Sequence, residues 1–159
     1  DLLRSRGLGD VYKRQTYSFT RISKSASKIM NKGGSLLTLT YVGSNKTTPN
    51  YNVMGVAKAA LETSVKYLSV DLGKNNIRVN AISAGPMKTI AGAAISGARH
   101  VYRYSEKVAP LQRNPNLEQV GDAALYLLSD ISSGVTGLTH YVDGGLKVVG
   151  IPNQNMVNI

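Results

Sequence analysis

Two strand-length segments separated by one long helical segment constrain the fold of this chain most. Residues 35–42, SLLTLTYV, are nearly all apolar, and residues 76–83, NIRVNAIS, form a second segment of the same kind. This is the pattern of parallel strands that are buried on both faces. Between them, residues 51–72 are rich in Ala, Leu, Val and Met and are followed by Gly73, which predicts a helix. A strand, a helix and a strand in this order predict a parallel sheet with helices on both faces.

The rest of the sequence continues this alternation of helices and strands. Residues 17–32 have helical spacing and stop at Gly33-Gly34, and residues 138–142 predict a last strand. Residues 116–130 predict an amphipathic helix that begins behind Asn116, a suitable N-cap residue. Residues 89–108 are small and then basic, and we interpret them as a helical, mobile segment.

Composition excludes several classes of site. The chain has no cysteine, and its only histidines, His100 and His140, lie far apart, so we expect no metal site. No apolar run approaches the roughly 20 residues that span a bilayer, and no signal peptide is visible. We therefore expect a cytoplasmic protein that is not integral to a membrane.

The first fifteen residues, DLLRSRGLGDVYKRQ, differ from the rest. They are dense in Arg and Lys and lack a regular apolar period, so we interpret residues 1–15 as a linker or adapter segment and residues 16–159 as the domain. GLGDVY is a near miss to a glycine-rich phosphate loop, but its third glycine position is Tyr12 and no strand precedes it.

Tyr41, Tyr51 and Lys58 are the candidate functional residues, since they stand around the start of the long helix. Seven residues of α-helix turn through about 700° and advance about 10.5 Å, so Tyr51 and Lys58 project from one face with Met54 between them. Spacing alone leaves another interpretation open, in which Tyr51 is a core or interface tyrosine and Lys58 is a solvated charge.

Four segments together carry a family resemblance: PNYNVMGVAKAALE, NIRVNAISAGPMKT, EQVGDAALYLLSD and SGVTGLTHYVDGG. They resemble the C-terminal half of a short-chain dehydrogenase/reductase, and within that superfamily the NADH-dependent enoyl-[acyl-carrier-protein] reductases of bacterial fatty-acid biosynthesis. Ordinary members carry Tyr-x-x-x-Lys, whereas Gly55 stands four residues after Tyr51 here. The enoyl reductases carry Tyr-x(6)-Lys, as Tyr51 and Lys58 do, with a further tyrosine in the place of Tyr41.

The resemblance implies a fold class and a role for each site residue. It implies a Rossmann-type, doubly wound parallel sheet that is incomplete, because the N-terminal strands and their phosphate loop are missing. Tyr51 would donate a hydrogen bond to the thioester oxygen, Lys58 would bind the nicotinamide ribose, and Tyr41, at a strand end, would line the substrate pocket and share in catalysis. The remaining assignments are cofactor contacts at Met87, Lys88, Thr89, Ile90 and Ala91, and substrate contacts at Met54 and Ile95.

The resemblance also implies partners. The cofactor would be NAD in its reduced form, with NADPH not excluded, and the substrate an enoyl thioester on acyl carrier protein; a homotetramer is expected. The basic run comprises Arg99, His100, Arg103, Lys107 and Arg113. It is either a solvated face or a docking patch for the acidic carrier protein, and a net charge of +10 is consistent with the second interpretation. Nucleic-acid binding is not expected, since no aromatic interleaving accompanies the charge.

Two other functions remain open from the sequence. One is a reductase or dehydrogenase of the same superfamily that acts on a carbonyl, and the other is a non-catalytic scaffold that keeps the fold. We also expect the 159-residue chain to be inactive when alone.

Overall fold

The computed structural model describes residues 7–30, 33–90 and 96–157 of the chain. The strands in these ranges are β1 (Gly34–Thr40), β2 (Ile77–Ala84) and β3 (Thr139–Val142). The helices are α1 (Gly7–Tyr12), α2 (Ser18–Ala26), α3 (Asn52–Gly73), α4 (Ala98–Val108), α5 (Leu117–Leu128) and the short α6 (Gln154–Val157). In the described part of the chain, no helix is both long and apolar enough to cross a membrane.

The three described strands form one parallel sheet in the order β1-β2-β3. Leu36 of β1 lies beside Val79 of β2, and Ser83 of β2 lies between Thr40 of β1 and Tyr141 of β3. All three strands run in one direction, so their carboxyl ends meet at one edge of the sheet, which is where ligands bind in open α/β sheets.

Helices cover both faces of this sheet. On one face, Val65 of α3 packs with Val79 and Ala81 of β2. On the other, Ile82 of β2 packs with Val120 and Leu127 of α5. The arrangement confirms the predicted Rossmann-type, doubly wound α/β class.

The start of α5 shows the predicted N-cap. The Asn116 side chain accepts a hydrogen bond from the Gln119 backbone N–H at 2.8 Å, and the Gln119 side chain accepts one from the Asn116 N–H at 3.1 Å. This reciprocal pair satisfies two of the backbone donors that a helix start leaves unpaired.

The amino-terminal part of the chain differs from its prediction. In the described residues, helical structure extends from Gly7 through a π-helical segment, Lys13–Tyr17, into α2, which ends at Ala26. Thr16 is buried and its hydroxyl donates to the backbone carbonyl of Ala57 in α3 at 3.0 Å. The residues from Gly7 are therefore helical, and α2 is shorter than the predicted 17–32. That residues 1–15 are a linker stays a prediction.

Candidate active site

The site begins where β1 ends. Tyr41 follows Thr40 directly in an extended conformation, with φ −149° and ψ 149°, and a 3-10 turn, Val42–Ser44, follows it. Tyr41 therefore lies at the carboxyl end of its strand, as predicted, and the turn leads the chain away from the sheet.

Tyr51 lies at the start of α3 and contacts Tyr41. It is the N-cap residue, with φ −113° and ψ 8°, so the helix begins one residue later than predicted. The two tyrosine rings meet edge to face, with centroids 5.0 Å apart and planes inclined at 68°. Edge-to-face packing is a favoured arrangement of aromatic rings.

Two glycines make this placement of Tyr51 sterically feasible. A β-carbon on Gly43 would lie 2.6 Å from Cδ1 of Tyr51, and one on Gly55 would lie 2.7 Å from the carbonyl oxygen of Gly43. The first turn of α3 can therefore approach the turn after β1 only because neither position carries a side chain.

Both phenols are protonated at neutral pH, and the protein holds their protons more tightly than water does. Burial, with a smaller contribution from the neighbouring Tyr41, raises the pKa of Tyr51 to about 12. Burial also raises the pKa of Tyr41, while a hydrogen bond with Thr48 opposes that shift. At neutral pH each group is a hydroxyl, able to donate a hydrogen bond.

Lys58 is buried, although a lysine on a helix is usually solvated. Only 9% of its surface is exposed, and its ammonium donates to the backbone carbonyl of Leu39 and to Oε1 of Gln15, both at 2.8 Å. Burial lowers the pKa of Lys58, and the negative charge of Glu62 partly offsets this. The interpretation of Lys58 as a solvated charge is therefore wrong.

Glu62 is a charged residue near the site that the sequence analysis did not select. Its carboxylate accepts hydrogen bonds from the Thr40 hydroxyl at 2.8 Å, the Ser44 hydroxyl at 2.5 Å and the Asn45 side-chain amide at 3.1 Å. Its position four residues after Lys58, hence on the same helix face, was the signal that could have identified it.

Three separate cavities are lined by some of the candidate residues, but not by Tyr51 or Met54. Tyr41 lines one of about 430 Å³, which the loop after β1 forms with α4 and the segment after β3. Lys58 lines an open cavity of about 680 Å³ beside β1, α2 and α5. A third, of about 870 Å³, lies between α4 and residues 87–90. The structure thus joins Tyr41 with Tyr51, while Lys58 opens to a different cavity from Tyr41.

The predicted cofactor contacts after β2 occupy varied environments. Met87 packs against the α5 side of the sheet, and the Lys88 ammonium lies 5.0 Å from the ring centroid of Tyr102. The Ile90 side chain is 95% exposed, and Thr89 lines the same cavity as these residues. Met54 is half-buried in the first turn of α3. Ala91 and Ile95 lie outside the described residues.

A parallel sheet with helices on both faces defines a Rossmann-type α/β domain. The two phenols lie at the carboxyl edge of this sheet. The family model described as enoyl-(acyl carrier protein) reductase matches residues 4–147. The chain belongs to the enoyl-(acyl carrier protein) reductase family.

Relatives and solved structures agree with this family. An enoyl-[acyl-carrier-protein] reductase [NADH] from Rhizobium meliloti (strain 1021) is 59% identical over 135 residues, which are 85% of this chain and 50% of that protein. The Anaplasma phagocytophilum reductase, solved in complex with NAD, is 55% identical with a TM-score of 0.83 over 87% of this chain and 53% of that one. The Plasmodium berghei reductase, solved with triclosan, is 44% identical with a TM-score of 0.89, over 93% and 53% respectively. The chain spans about half the length of the relatives it matches.

Proposed function

We propose that this chain is the catalytic half of an NADH-dependent enoyl-[acyl-carrier-protein] reductase, which reduces a trans-2-enoyl thioester to the saturated thioester in bacterial fatty-acid elongation. The observation that carries this proposal is the pair of protonated tyrosines at the carboxyl edge of the sheet, with a buried lysine two helical turns beyond the second. Relatives at 50–59% identity carry the same named activity.

Tyr51 supplies the hydrogen bond that this reaction needs. Negative charge develops on the thioester oxygen as the double bond is reduced, and a hydroxyl donor aimed at that oxygen stabilises it. A phenol whose pKa is about 12 keeps its proton throughout the neutral range, so Tyr51 serves as a donor and not as a base. Tyr41 packs edge to face with the ring of Tyr51 and forms part of the pocket wall.

Lys58 fits the ribose side of a bound nicotinamide cofactor. An ammonium group has three donors, and the described residues accept two of them, through Leu39 and Gln15. The third is available for a ribose hydroxyl in the adjoining cavity. Bound NADH would supply the hydride for the β-carbon of the substrate. The cofactor contacts would be completed by Met87, Lys88, Thr89, Ile90 and Ala91. NADPH is the other nicotinamide cofactor to be compared with NADH.

The cavity beside Tyr41 suits the acyl chain. Its walls include Val42, Pro49, Val101, Val108 and Leu146, which are apolar, and its volume is about 430 Å³. Met54 and Ile95 would add further substrate contacts. The basic face of α4, with Arg99, Arg103 and Lys107, would dock the acidic carrier protein.

Assembly and location complete the proposal. Apolar side chains are exposed on α3, at Val56 and Val70, and on α5, at Leu117 and Leu125; these support a homotetramer formed through the two helices. The enzyme would act in the cytoplasm, and residues 16–159 would form the native part of the domain, with residues 1–15 as a linker.

A chimera tests this function. The part of the Rhizobium meliloti relative that precedes the matched segment is joined ahead of residue 16, and oxidation of NADH is followed with crotonyl thioester as substrate. We expect turnover by the chimera and none by the 159-residue chain alone. In the chimera, Tyr51→Phe should lower kcat by about 10²–10³-fold, whereas Tyr67→Phe, an exposed tyrosine on the same helix, should not.

The outcomes separate the alternatives. A donor at Tyr51 would also serve a ketone oxygen, so the chimera is assayed with enoyl and ketoacyl thioesters side by side; preference for the ketoacyl substrate would identify a carbonyl reductase. An inactive, folded chimera would favour a scaffold. Steady turnover by the 159-residue chain would contradict the expectation that it is inactive alone.

A further inference from the structure

The carboxylate of Glu62 joins three segments of the chain at one point. Oε1 accepts from the hydroxyls of Thr40 and Ser44, and Oε2 accepts from the side-chain amide of Asn45. Hydrogen bonds to an ionised acceptor are shorter and stronger than those between neutral groups. Three of them on one carboxylate fix its position firmly.

The donors to Glu62 stand on both sides of Tyr41. Thr40 is buried and ends β1 immediately before Tyr41, while Ser44 and Asn45 end the turn immediately after it. Glu62 itself belongs to α3, the helix that begins at Tyr51. The carboxylate therefore links the backbone that carries Tyr41 to the helix that carries Tyr51 and Lys58.

Glu62 also lies one helical turn after Lys58, on the same face of α3. The Lys58 ammonium donates to Gln15, from the segment before α2, and to the carbonyl of Leu39, and Arg14 lines the same cavity. The described side chains of α5 that share the cavity are uncharged. Glu62 favours the ammonium and offsets part of the effect of burial on the pKa of Lys58.

We propose that Glu62 is the positioning residue of this site: its carboxylate holds the backbone on both sides of Tyr41 against α3 and supplies a negative charge one helical turn from the buried Lys58. Its catalytic meaning depends on the proposed reductase function, since Glu62 acts through Tyr41 and Lys58 and not on the substrate. The geometric and electrostatic roles themselves do not depend on it.

The two roles can be separated by substitution. Glu62→Gln keeps a side-chain oxygen that accepts from Thr40 and Ser44, but it removes the charge and the acceptor of the Asn45 side-chain amide. Glu62→Ala removes both. Thr40→Val removes one donor and keeps the charge. Asp71→Asn is the matched control, because it removes one exposed negative charge from the same helix about 20 Å beyond Lys58.

The test is an NMR titration of the full chain with ¹³C-labelled lysine, combined with amide hydrogen exchange, without cofactor or substrate. We expect Glu62→Gln to lower the pKa of Lys58 while exchange at residues 41–46 stays close to that of the parent chain. Glu62→Ala should lower this pKa and also speed exchange there. Thr40→Val should speed exchange at these residues and leave the Lys58 titration unchanged. Asp71→Asn should change neither the exchange nor the titration.

A Lys58 titration that is the same in Glu62→Gln and Asp71→Asn would overturn the electrostatic role. Unchanged exchange at residues 41–46 in both Glu62→Ala and Thr40→Val would overturn the structural one. Should Glu62→Ala not fold, Glu62→Gln and Thr40→Val still decide the two roles. Because no reaction is measured, an inactive chimera would count against the proposed function and leave this result unaffected.

Discussion

Gly43 lies directly against the ring of Tyr51, so that a β-carbon at Gly43 would approach Cδ1 of that ring to 2.6 Å and Cδ1 of Tyr41 to 3.2 Å. The Tyr51 ring has little room to move, since Tyr51 is almost fully buried and packs edge to face with Tyr41. The position of the proposed donor therefore depends on a residue that makes no polar contact with it.

Replacement of Gly43 by alanine should displace the Tyr51 ring and destabilise the chain. Overpacking of this kind typically costs about 1–3 kcal/mol. Urea unfolding and the nuclear Overhauser contacts between the two rings measure both effects. Gly134→Ala is the control, since a β-carbon there has nothing within 4 Å; equal stability of the two variants would contradict the steric argument.

The pKa of Tyr51 predicts how stability depends on alkaline pH. Its value rises from 10 to about 12 on folding, so the folded chain binds this proton more tightly than the unfolded chain does. This tighter binding stabilises the folded chain by at most about 3 kcal/mol below pH 10, and the stabilisation is lost as the pH rises through 12. The free energy of unfolding, measured with urea between pH 9 and 11.5, should fall more steeply with pH for the parent chain than for Tyr51→Phe.

Tyr67→Phe provides the comparison for that titration, because Tyr67 is exposed on the same helix. It should keep the pH dependence of the parent chain. If Tyr51→Phe lost stability with pH as steeply as Tyr67→Phe does, Tyr51 would not be the group responsible.

Lys46 should hold the segment after β3 against the pocket. Its ammonium donates to the backbone carbonyls of Lys147 at 2.6 Å and Val149 at 2.7 Å, and Lys46, Val149 and Gly150 all line the cavity of Tyr41. Lys46 is exposed, so its replacement by methionine should change global stability by no more than about 1 kcal/mol. Amide exchange at residues 147–150 should nevertheless become faster.

Lys66→Met is a suitable control for this local effect, since Lys66 is an exposed lysine on α3. It should leave exchange at residues 147–150 as it is in the parent chain. Protection that persists in Lys46→Met would show that other contacts hold this segment.

Ser83 and Thr40 are neighbours across β1 and β2, and their hydroxyls should contribute differently to stability. Thr40 donates to Glu62, whereas the Ser83 hydroxyl is buried and has no hydrogen-bond partner among the described residues. An unsatisfied buried hydroxyl is costly, so Ser83→Ala should leave the free energy of unfolding unchanged or raise it by up to about 1 kcal/mol. Thr40→Val should lower it by about 1 kcal/mol or more. Equal losses in both variants would contradict this difference.

The fold could be predicted well because its signals are local. The apolar composition of β1 and β2, the length of α3 and the capping pair at Asn116 each depend on residues close in sequence. The burial of Lys58 could not be predicted from local sequence, since it depends on Leu39 and Gln15, which are distant along the chain.

The candidate site was predicted in part for the same reason. Tyr41 and Tyr51 were selected through a motif, and their contact follows from the elements that carry them. Glu62 and Gly43 were missed, because their roles arise only when α3 packs on the turn after β1. Apolar character alone is also a poor guide to burial here, since Ile22 and Ile29 are exposed although both lie in the segment with helical spacing.

The hydrogen bond from Lys58 to the carbonyl of Leu39 has a consequence for assembly. Leu39 belongs to β1, which has a single strand neighbour, β2, in the described sheet. The ammonium is thus tied to the backbone of the margin strand, while its own Cα belongs to α3. Any subunit or segment that shifted β1 along α3 would therefore also move the lysine head group, even without contacting it.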